Sequence, residues 1–568
     1  MEAMVIRGIT MKKLSIYSSS ILMLLLVFLS PALVKANEFS DVSRYHWAYQ
    51  DIKFLSDKEV IKGHLGKFSP SASITRNDAA IMLVRAMNLE APAEPQVIPA
   101  DMNPSTRGYN EVLAVLDKGM FSLTDNKFDP SKPLTRKDMA MALAVGFEYI
   151  GSGKSSFKDL PPHDPYYPFV DAIAEYKVTT GYGDGTFKPD LTVDRLQFAV
   201  FLSRIYTKPL EYNVKASGEV KHTVRSAEEA INLAMQYPDG TVHPADNTLQ
   251  SFSDHTGLLS ETGIRNGVLI YNGAEQNTDF TANYFKPYLT PGGTNQTLFD
   301  TFIILGRSYP GGELGSSKNY ANYSDFQWYI DQTFSENGVL EALNASSAQL
   351  QKKANVYLAI PYPKLLEDII GLDGEVLKNT PDEREKMAAW YMEAVEAVWE
   401  ERGFSNLTFK GYYWMSETMG YPQDGPLVEQ ISARIHQKDK FLIYSPHALS
   451  TNFERWETYG FDGAFLQPNA FRLKLTDADQ RLHRAFLNAQ IYGSGINIEI
   501  DQYGPHQIEA GLVNFKKYIE MSHRYGLPGQ SLIFYQGIGM VDRMIQYGTP
   551  YYMEAYEQLK SLSYSVMQ

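Results

Sequence analysis

Two stretches of the sequence carry an acid directly after an apolar run: Tyr412-Tyr413-Trp414-Met415-Ser416-Glu417 and Asn497-Ile498-Glu499-Ile500-Asp501. Two carboxyl groups held in different environments can divide acid from base, one kept protonated and one ionised. On a strand Asn497, Glu499 and Asp501 share one face by alternation, so either acid of that stretch can be the one presented. Three arginines recur at 60 and 59 residues, Arg76, Arg136 and Arg195. A guanidinium fork can hold a carboxylate through two parallel hydrogen bonds. Other chemistries lack their residues. With no cysteine there are no disulfides, thiolate nucleophiles or Cys-ligated zinc. The eleven histidines form no His-x-x-x-His pair and no His-Glu-x-x-His, so neither metal nor cofactor is expected. No Gly-x-Ser-x-Gly elbow and no nucleotide loop is present.

The elements that must position the two acids are short apolar runs at 267–272, 299–306, 355–361, 408–415, 440–445, 463–467, 495–501 and 531–536. Helical segments separate them, which argues for a parallel sheet covered on its outer face. The best-marked helix spans 381–402: Thr380 caps it, Pro381 takes the first turn, Glu383 completes a capping box and Gly403 stops it. Further helices fit 426–437, 474–492, 506–525 and 549–563. Eight such units predict a (β/α)₈ TIM barrel, whose chemistry sits at the C-terminal strand ends. A doubly wound open sheet is the runner-up, and the glycine-rich loop it would carry is missing. The strand ends also offer Tyr271, Arg307, Tyr362, Trp414, Tyr444, His447, Gln467, Asn469 and Gln536, polar and aromatic tips that suit a sugar cleft.

The arginines belong to a unit repeated three times. Each copy opens on an aspartate (Asp41, Asp101, Asp159), continues into an amphipathic helix, and reaches Phe68-Ser69-Pro70, Phe128-Asp129-Pro130 or Phe187-Lys188-Pro189 eight residues before its arginine. Ile74-Thr75-Arg76-Asn77-Asp78 and Leu134-Thr135-Arg136-Lys137-Asp138 share a pattern. The third copy, Val193-Asp194-Arg195-Leu196-Gln197, keeps the arginine and loses the threonine and the acid. These residues resemble the S-layer homology family over roughly 39–206. The resemblance implies an all-α bundle of three repeats that binds pyruvylated secondary cell-wall polysaccharide in grooves. It points to Arg76, Arg136, Arg195 and the three opening aspartates as groove residues, and Trp47 either lines a groove or packs beside it. The other use for each arginine is an ion pair that fixes the bundle.

The barrel is similar to retaining glycoside hydrolases of clan A, which place an acid/base at the end of strand 4 and a nucleophile at the end of strand 7. That resemblance implies hydrolysis of O-glycosyl bonds in a polysaccharide, with Glu417 as acid/base, Glu499 as nucleophile and Asp501 as the alternative nucleophile. Ser416 stands where the clan commonly has asparagine. The region also resembles a barrel family found behind S-layer homology repeats in Gram-positive bacteria. The competing expectation is a non-catalytic glycan-binding or S-layer structural protein, because barrels host many functions.

A net charge of −14 disfavours broad nucleic-acid binding. Lys12 and Lys13, the apolar stretch 21–29 and Val34-Lys35-Ala36 form the three parts of a secretory signal peptide, with Met11 as the expected start. The stretch is short of the ~20 apolar residues a membrane span needs, so the mature protein is expected outside the cell and not membrane-spanning, at the wall or S-layer of a Gram-positive bacterium. The expected organisation is 1–36 signal peptide, repeats at 37–95, 96–155 and 156–208, a linker leading into the barrel at 209–264, and the barrel at 265–568.

Overall fold

In the computed structural model of the chain, residues 39–567 are described apart from 152, 177, 207–208, 210, 246–261, 274–279, 294, 307, 315–320, 451, 472, 501–507, 527–530 and 538. The signal peptide expected over 1–36, together with Arg307 and Asp501, lies outside the described residues.

Each repeat supplies two helices: α1 (Tyr49–Asp57) and α2 (Arg76–Met87), α3 (Tyr109–Asp117) and α4 (Arg136–Gly146), α5 (Tyr167–Glu175) and α6 (Arg195–Tyr206). The second helix of each pair starts at the recurring arginine because the residue before it is an N-cap. Thr75 accepts from the N–H of Asp78, and Thr135 from that of Asp138. In the third copy Asp194 takes the same post, accepting from Gln197 N–H at 2.6 Å, since aspartate caps as well as threonine. The repeats join at a closed triangle of backbone bonds. Ile74 N–H donates to Val193 O, Val193 N–H to Leu134 O and Leu134 N–H to Ile74 O, each at 2.9 Å. The expected all-α description covers the helices and omits this extended centre.

Where a linker is expected, the chain folds. Strands Tyr212–Ala216, Glu219–Val224 and Thr241–Pro244 form an antiparallel sheet with the first at its centre. Helix α7 (Ala227–Ala234) lies on it, and Tyr212, Val214, Ile231 and Val242 bury themselves together with Leu487 and Ile491 of the barrel.

The eight apolar runs form β1 (Asn266–Tyr271), β2 (Thr301–Leu305), β3 (Ala354–Ile360), β4 (Leu407–Trp414), β5 (Phe441–Tyr444), β6 (Gly463–Leu466), β7 (Gly495–Glu499) and β8 (Leu532–Tyr535). All neighbours are parallel, and β8 pairs with β1 through Leu532 and Asn266, which closes the barrel. An open doubly wound sheet is thereby excluded. Around it run α8 (Ala282–Leu289), α9 (Tyr323–Thr333), α10 (Val339–Gln349), α11 (Pro381–Arg402), α12 (Asp424–His436), α13 (Leu475–Tyr492), α14 (Ile508–Arg524), α15 (Met540–Tyr547) and α16 (Pro550–Met567). Thr380 caps α11 and Gly403 ends it at φ 58°, a left-handed position that glycine occupies without strain. No described helix is long and apolar enough to cross a membrane.

Repeats and barrel meet at a buried charge pair. Arg455, in the 3₁₀ turn Phe453–Tyr459 after β5, lies 2.6 Å from the Asp51 carboxylate on α1 and donates to Ser203 Oγ on α6 at 2.8 Å. Removing one partner strands the other charge out of water, so Arg455→Met is expected to lower unfolding free energy by about 3 kcal/mol. The Asp51→Leu/Arg455→Met pair should recover most of that loss in chemical denaturation of the full chain.

A tyrosine held by a buried histidine ties the small sheet to the barrel. The Tyr525 hydroxyl accepts from Val242 N–H at 3.0 Å and lies 2.7 Å from His483 Nδ1. Burial, with the Arg524 charge, pushes His483 down to about 4. The folded state therefore favours the neutral ring, whereas the unfolded chain takes up a proton near pH 6.5. Stability from this group is complete above about pH 6.5 and is lost as pH falls towards 4, by about 3 kcal/mol. His483→Gln should flatten that part of a denaturation profile measured against pH.

Candidate active site at the barrel mouth

Glu499 ends β7 with its side chain on the inner face, above Asn497, and is only 1% exposed. A carboxylate so placed is tolerated only with donors around it. Its Oε2 accepts from the Tyr518 hydroxyl of α14 at 2.6 Å and from the backbone N–H of Asn469. Burial and the neighbouring Glu499 charge push the Tyr518 phenol well above its ordinary range, so it stays a donor. Below, Asn497 Nδ2 donates to Ser445 Oγ at 3.0 Å, and Ser445 Oγ to Phe465 O at 2.8 Å, crossing from β7 to the ends of β5 and β6.

Glu417 follows β4 and is exposed. It belongs to the same rim: its carbonyl accepts His447 N–H at 3.0 Å, and His447 bridges to Gln467. Ala448 N–H donates to Gln467 O, Gln467 N–H to Pro446 O, both at 2.8 Å, and Asn469 then reaches Glu499. The ends of β4, β5, β6 and β7 are thus stitched into one continuous edge with a carboxylate at each terminus. Burial first, and the Glu417 charge second, raise the Tyr413 phenol far above its usual range, and Tyr271 lies in the same field. Tyr271 meets Tyr535 of β8 edge to face at 6.0 Å, with Phe471 beyond at 6.1 Å.

The other expected cleft residues divide. His447 and Asn469 are half-buried on the rim, and burial, with Arg481 nearby, lowers the His447 ring below its ordinary value. Gln467 donates from Nε2 to Ser445 O at 2.7 Å. Tyr362 is buried, donates to Asp424 at 2.8 Å and lies under the Arg384 guanidinium. Tyr444 is buried against Phe461 with rings stacked 4.7 Å apart. Trp414 is fully buried beside Tyr362. Gln536 Oε1 accepts from Tyr288 hydroxyl and Val541 N–H. These last four serve the inside of the fold, where the sequence expects a cleft.

The repeats use their residues in rotation. Arg76 Nε donates to Phe128 O at 2.7 Å, Arg136 Nε to Phe187 O at 2.8 Å and Arg195 Nε to Phe68 O at 2.8 Å, so each arginine grips the next repeat and the third grips the first. The guanidinium planes lie over the same phenylalanines. Asp41, Asp101 and Asp159 each place both carboxylate oxygens on two N–H groups of their own Phe-x-Pro loop. That structural use differs from the ligand contact expected of them. Trp47 is 57% exposed.

Fold and site together define a protein in which a three-repeat module is joined to a parallel eight-stranded barrel. Residues 38–80, 100–140 and 156–199 match the S-layer homology domain. Residues 266–561, more than half of the chain, match the domain of unknown function DUF4855, and the chain belongs to that family. Similar proteins include "S-layer protein sap" of Bacillus anthracis, 28% identical over 181 residues, 31% of this chain and 22% of that protein. "Surface-layer 125 kDa protein" of Lysinibacillus sphaericus is 30% identical over 212 residues, 36% of this chain and 17% of that one. "Endoglucanase" of Bacillus sp. (strain KSM-635) is 28% identical over 235 residues, 38% and 24% of the two chains. The chain spans less than a quarter of the length of these relatives. Its three S-layer homology repeats and S-layer relatives make it a secreted protein of the cell wall and S-layer.

Tyr518 carries no signal in the sequence, because a tyrosine on the buried face of a helix looks like core packing until its partner is known. Its hydrogen bond to a charged, buried group is worth about 2 kcal/mol. Tyr518→Phe should lose about that much unfolding free energy in urea.

Proposed function

We propose that the protein is a wall-tethered retaining glycoside hydrolase. Its repeats hold pyruvylated secondary cell-wall polysaccharide, and its barrel cleaves O-glycosyl bonds of a polysaccharide brought near by the tether. The observation that carries this reading is the contrast between two carboxylates on one edge: Glu499 buried and held by Tyr518 and Asn469, Glu417 exposed at the other end. Glu417 in its acid form protonates the leaving oxygen as Glu499 forms a bond to the anomeric carbon and the glycosidic C–O bond breaks. Glu417, now a base, takes a proton from water, which displaces Glu499 and restores the original anomeric configuration. The likeness to a protein called an endoglucanase supports a glycan substrate only by association.

A second reading, a non-catalytic glycan-binding or S-layer structural protein, is favoured by the inward use of Tyr362, Trp414, Tyr444 and Gln536. Reducing ends released by the full chain from a panel of wall and plant glycans separate the two. Turnover is expected, reduced about 10³-fold in Glu417→Gln, and a 2-fluoroglycoside of the accepted sugar should leave an adduct on Glu499 by mass spectrometry. An adduct on Asp501 would move the nucleophile there; binding without turnover across the panel would establish the second reading.

A further inference from the structure

The three grooves between repeats are built alike, and the charges at two positions separate them: Asp138, Gln197 or Asp78 two residues after the arginine, and Asp129, Lys188 or Ser69 after the phenylalanine. In the first, Asp138 of repeat two sits 3.8 Å from Arg76 of repeat one. In the groove of Arg195 the corresponding acid is Asp78, whose charge acts on Arg195 and which Arg107 holds at 2.8 Å. In the groove of Arg136 the corresponding residue is Gln197. Among the described residues no carboxylate lies within ion-pair distance of Arg136, and Gln197 Oε1 is buried with no hydrogen-bond partner. Asp159, the acid whose charge does reach Arg136, has both oxygens on Phe187 and Lys188 N–H, as Asp101 and Asp41 do in their own loops.

The same groove gathers further positive charge. The Tyr182 ring lies between two cations, Arg136 at 4.9 Å and Lys188 Nζ at 4.1 Å. Lys188 is also 3.7 Å from Asp184 and well exposed. A guanidinium whose Nε is already fixed to Phe187 O is held in one orientation, so little freedom is lost when an anion docks on it.

We propose that the Arg136 groove is the principal oxyanion site of the wall-binding module, and that Gln197 is its specificity-determining residue. The loss of the acid from the third repeat removes the internal carboxylate that would compete with an anionic group on a wall saccharide. In the other two grooves that competitor is present. This rests on the reading that the repeats bind wall polysaccharide, and it concerns which groove does so and why.

The test is co-sedimentation of the full chain with purified sacculi that keep their secondary polymer. Gln197→Glu should weaken binding at least about ten-fold, because a carboxylate near Arg136 opposes an incoming anion. Its melting temperature should be unchanged or higher, since the same carboxylate gains an internal partner; the opposite signs separate lost binding from misfolding. Asp138→Asn, which removes the acid nearest Arg76, should bind no worse than the native chain. If Gln197→Glu melts early, Lys188→Gln decides, with an expected several-fold loss of binding at an unchanged melting temperature. Sacculi reduced at their carboxyl groups and sacculi stripped of phosphodiesters identify the oxyanion, as binding falls with whichever group is removed. Native affinity in Gln197→Glu, or in Lys188→Gln where that variant decides, overturns the assignment. Failure of the native chain to sediment instead overturns wall binding by the repeats.

Discussion

The backbone bonds between β8 and β1 bring Leu532 against Asn266, residues far apart in the chain, and the candidate site exists only because they form. Parallel strands cannot be joined by a tight turn, so each strand must be returned in register by a longer connection, a helix in most cases and the 3₁₀ turn Phe453–Tyr459 between β5 and β6. Once the ring is closed, all eight strands end on the same side. Glu417 and Glu499 then stand on one edge although β5 and β6 lie between their strands. The stitching of His447, Gln467 and Asn469 is a consequence of that closure: three loops crowd the rim, and their backbone polar groups satisfy one another where water is scarce.

The repeats obey the same rule of cyclic closure with different groups. Arg76, Arg136 and Arg195 each bond forward to the next phenylalanine carbonyl, and the last returns to Phe68. A linear stack would leave one arginine and one carbonyl unpaired at its ends. Here the joint between the first and third repeats is also where the barrel attaches, because Arg455 touches Asp51 of α1 and Ser203 of α6 at once. The attachment therefore reinforces the one seam that the covalent chain does not close directly. Arg455 lies on the loop that carries His447, so the wall-binding module and the barrel mouth share a structural element.

How much of this was legible depended on the range of the interaction involved. Helix α11 was readable from Thr380, Pro381, Glu383 and Gly403 because capping is decided within a few residues. The strands of the barrel were readable from their apolar runs, and the arginine period from its spacing. The small sheet at 212–244 reads as a linker in the sequence. Its alternation of Tyr212, Val214 and Ala216 is short, yet Ser217-Gly218 is a two-residue hairpin turn with φ of 52° and 78°, and that dipeptide was the available sign. Arg455, Tyr518 and Arg384 gave no sign, since each acquires meaning only from a partner on another element. Tyr362 and Gln536 show the same dependence, since a polar tip at a strand end can turn to a neighbouring loop as readily as to a ligand.

The two glutamates show why position alone underdetermines chemistry. Both follow apolar strands at the same end of the barrel, and alternation treats them alike. Their surroundings differ because of what comes next in the chain. After β4 the backbone turns at Ser416, whose hydroxyl donates to Thr418 O at 2.9 Å, and Glu417 is left facing water. After β7, α14 returns over the strand end and lays Tyr518 across Glu499. One carboxylate can exchange protons with solvent, while the other is fixed and dry. That asymmetry is produced by a loop and a helix, the parts of a barrel that vary most freely around a fixed set of strands.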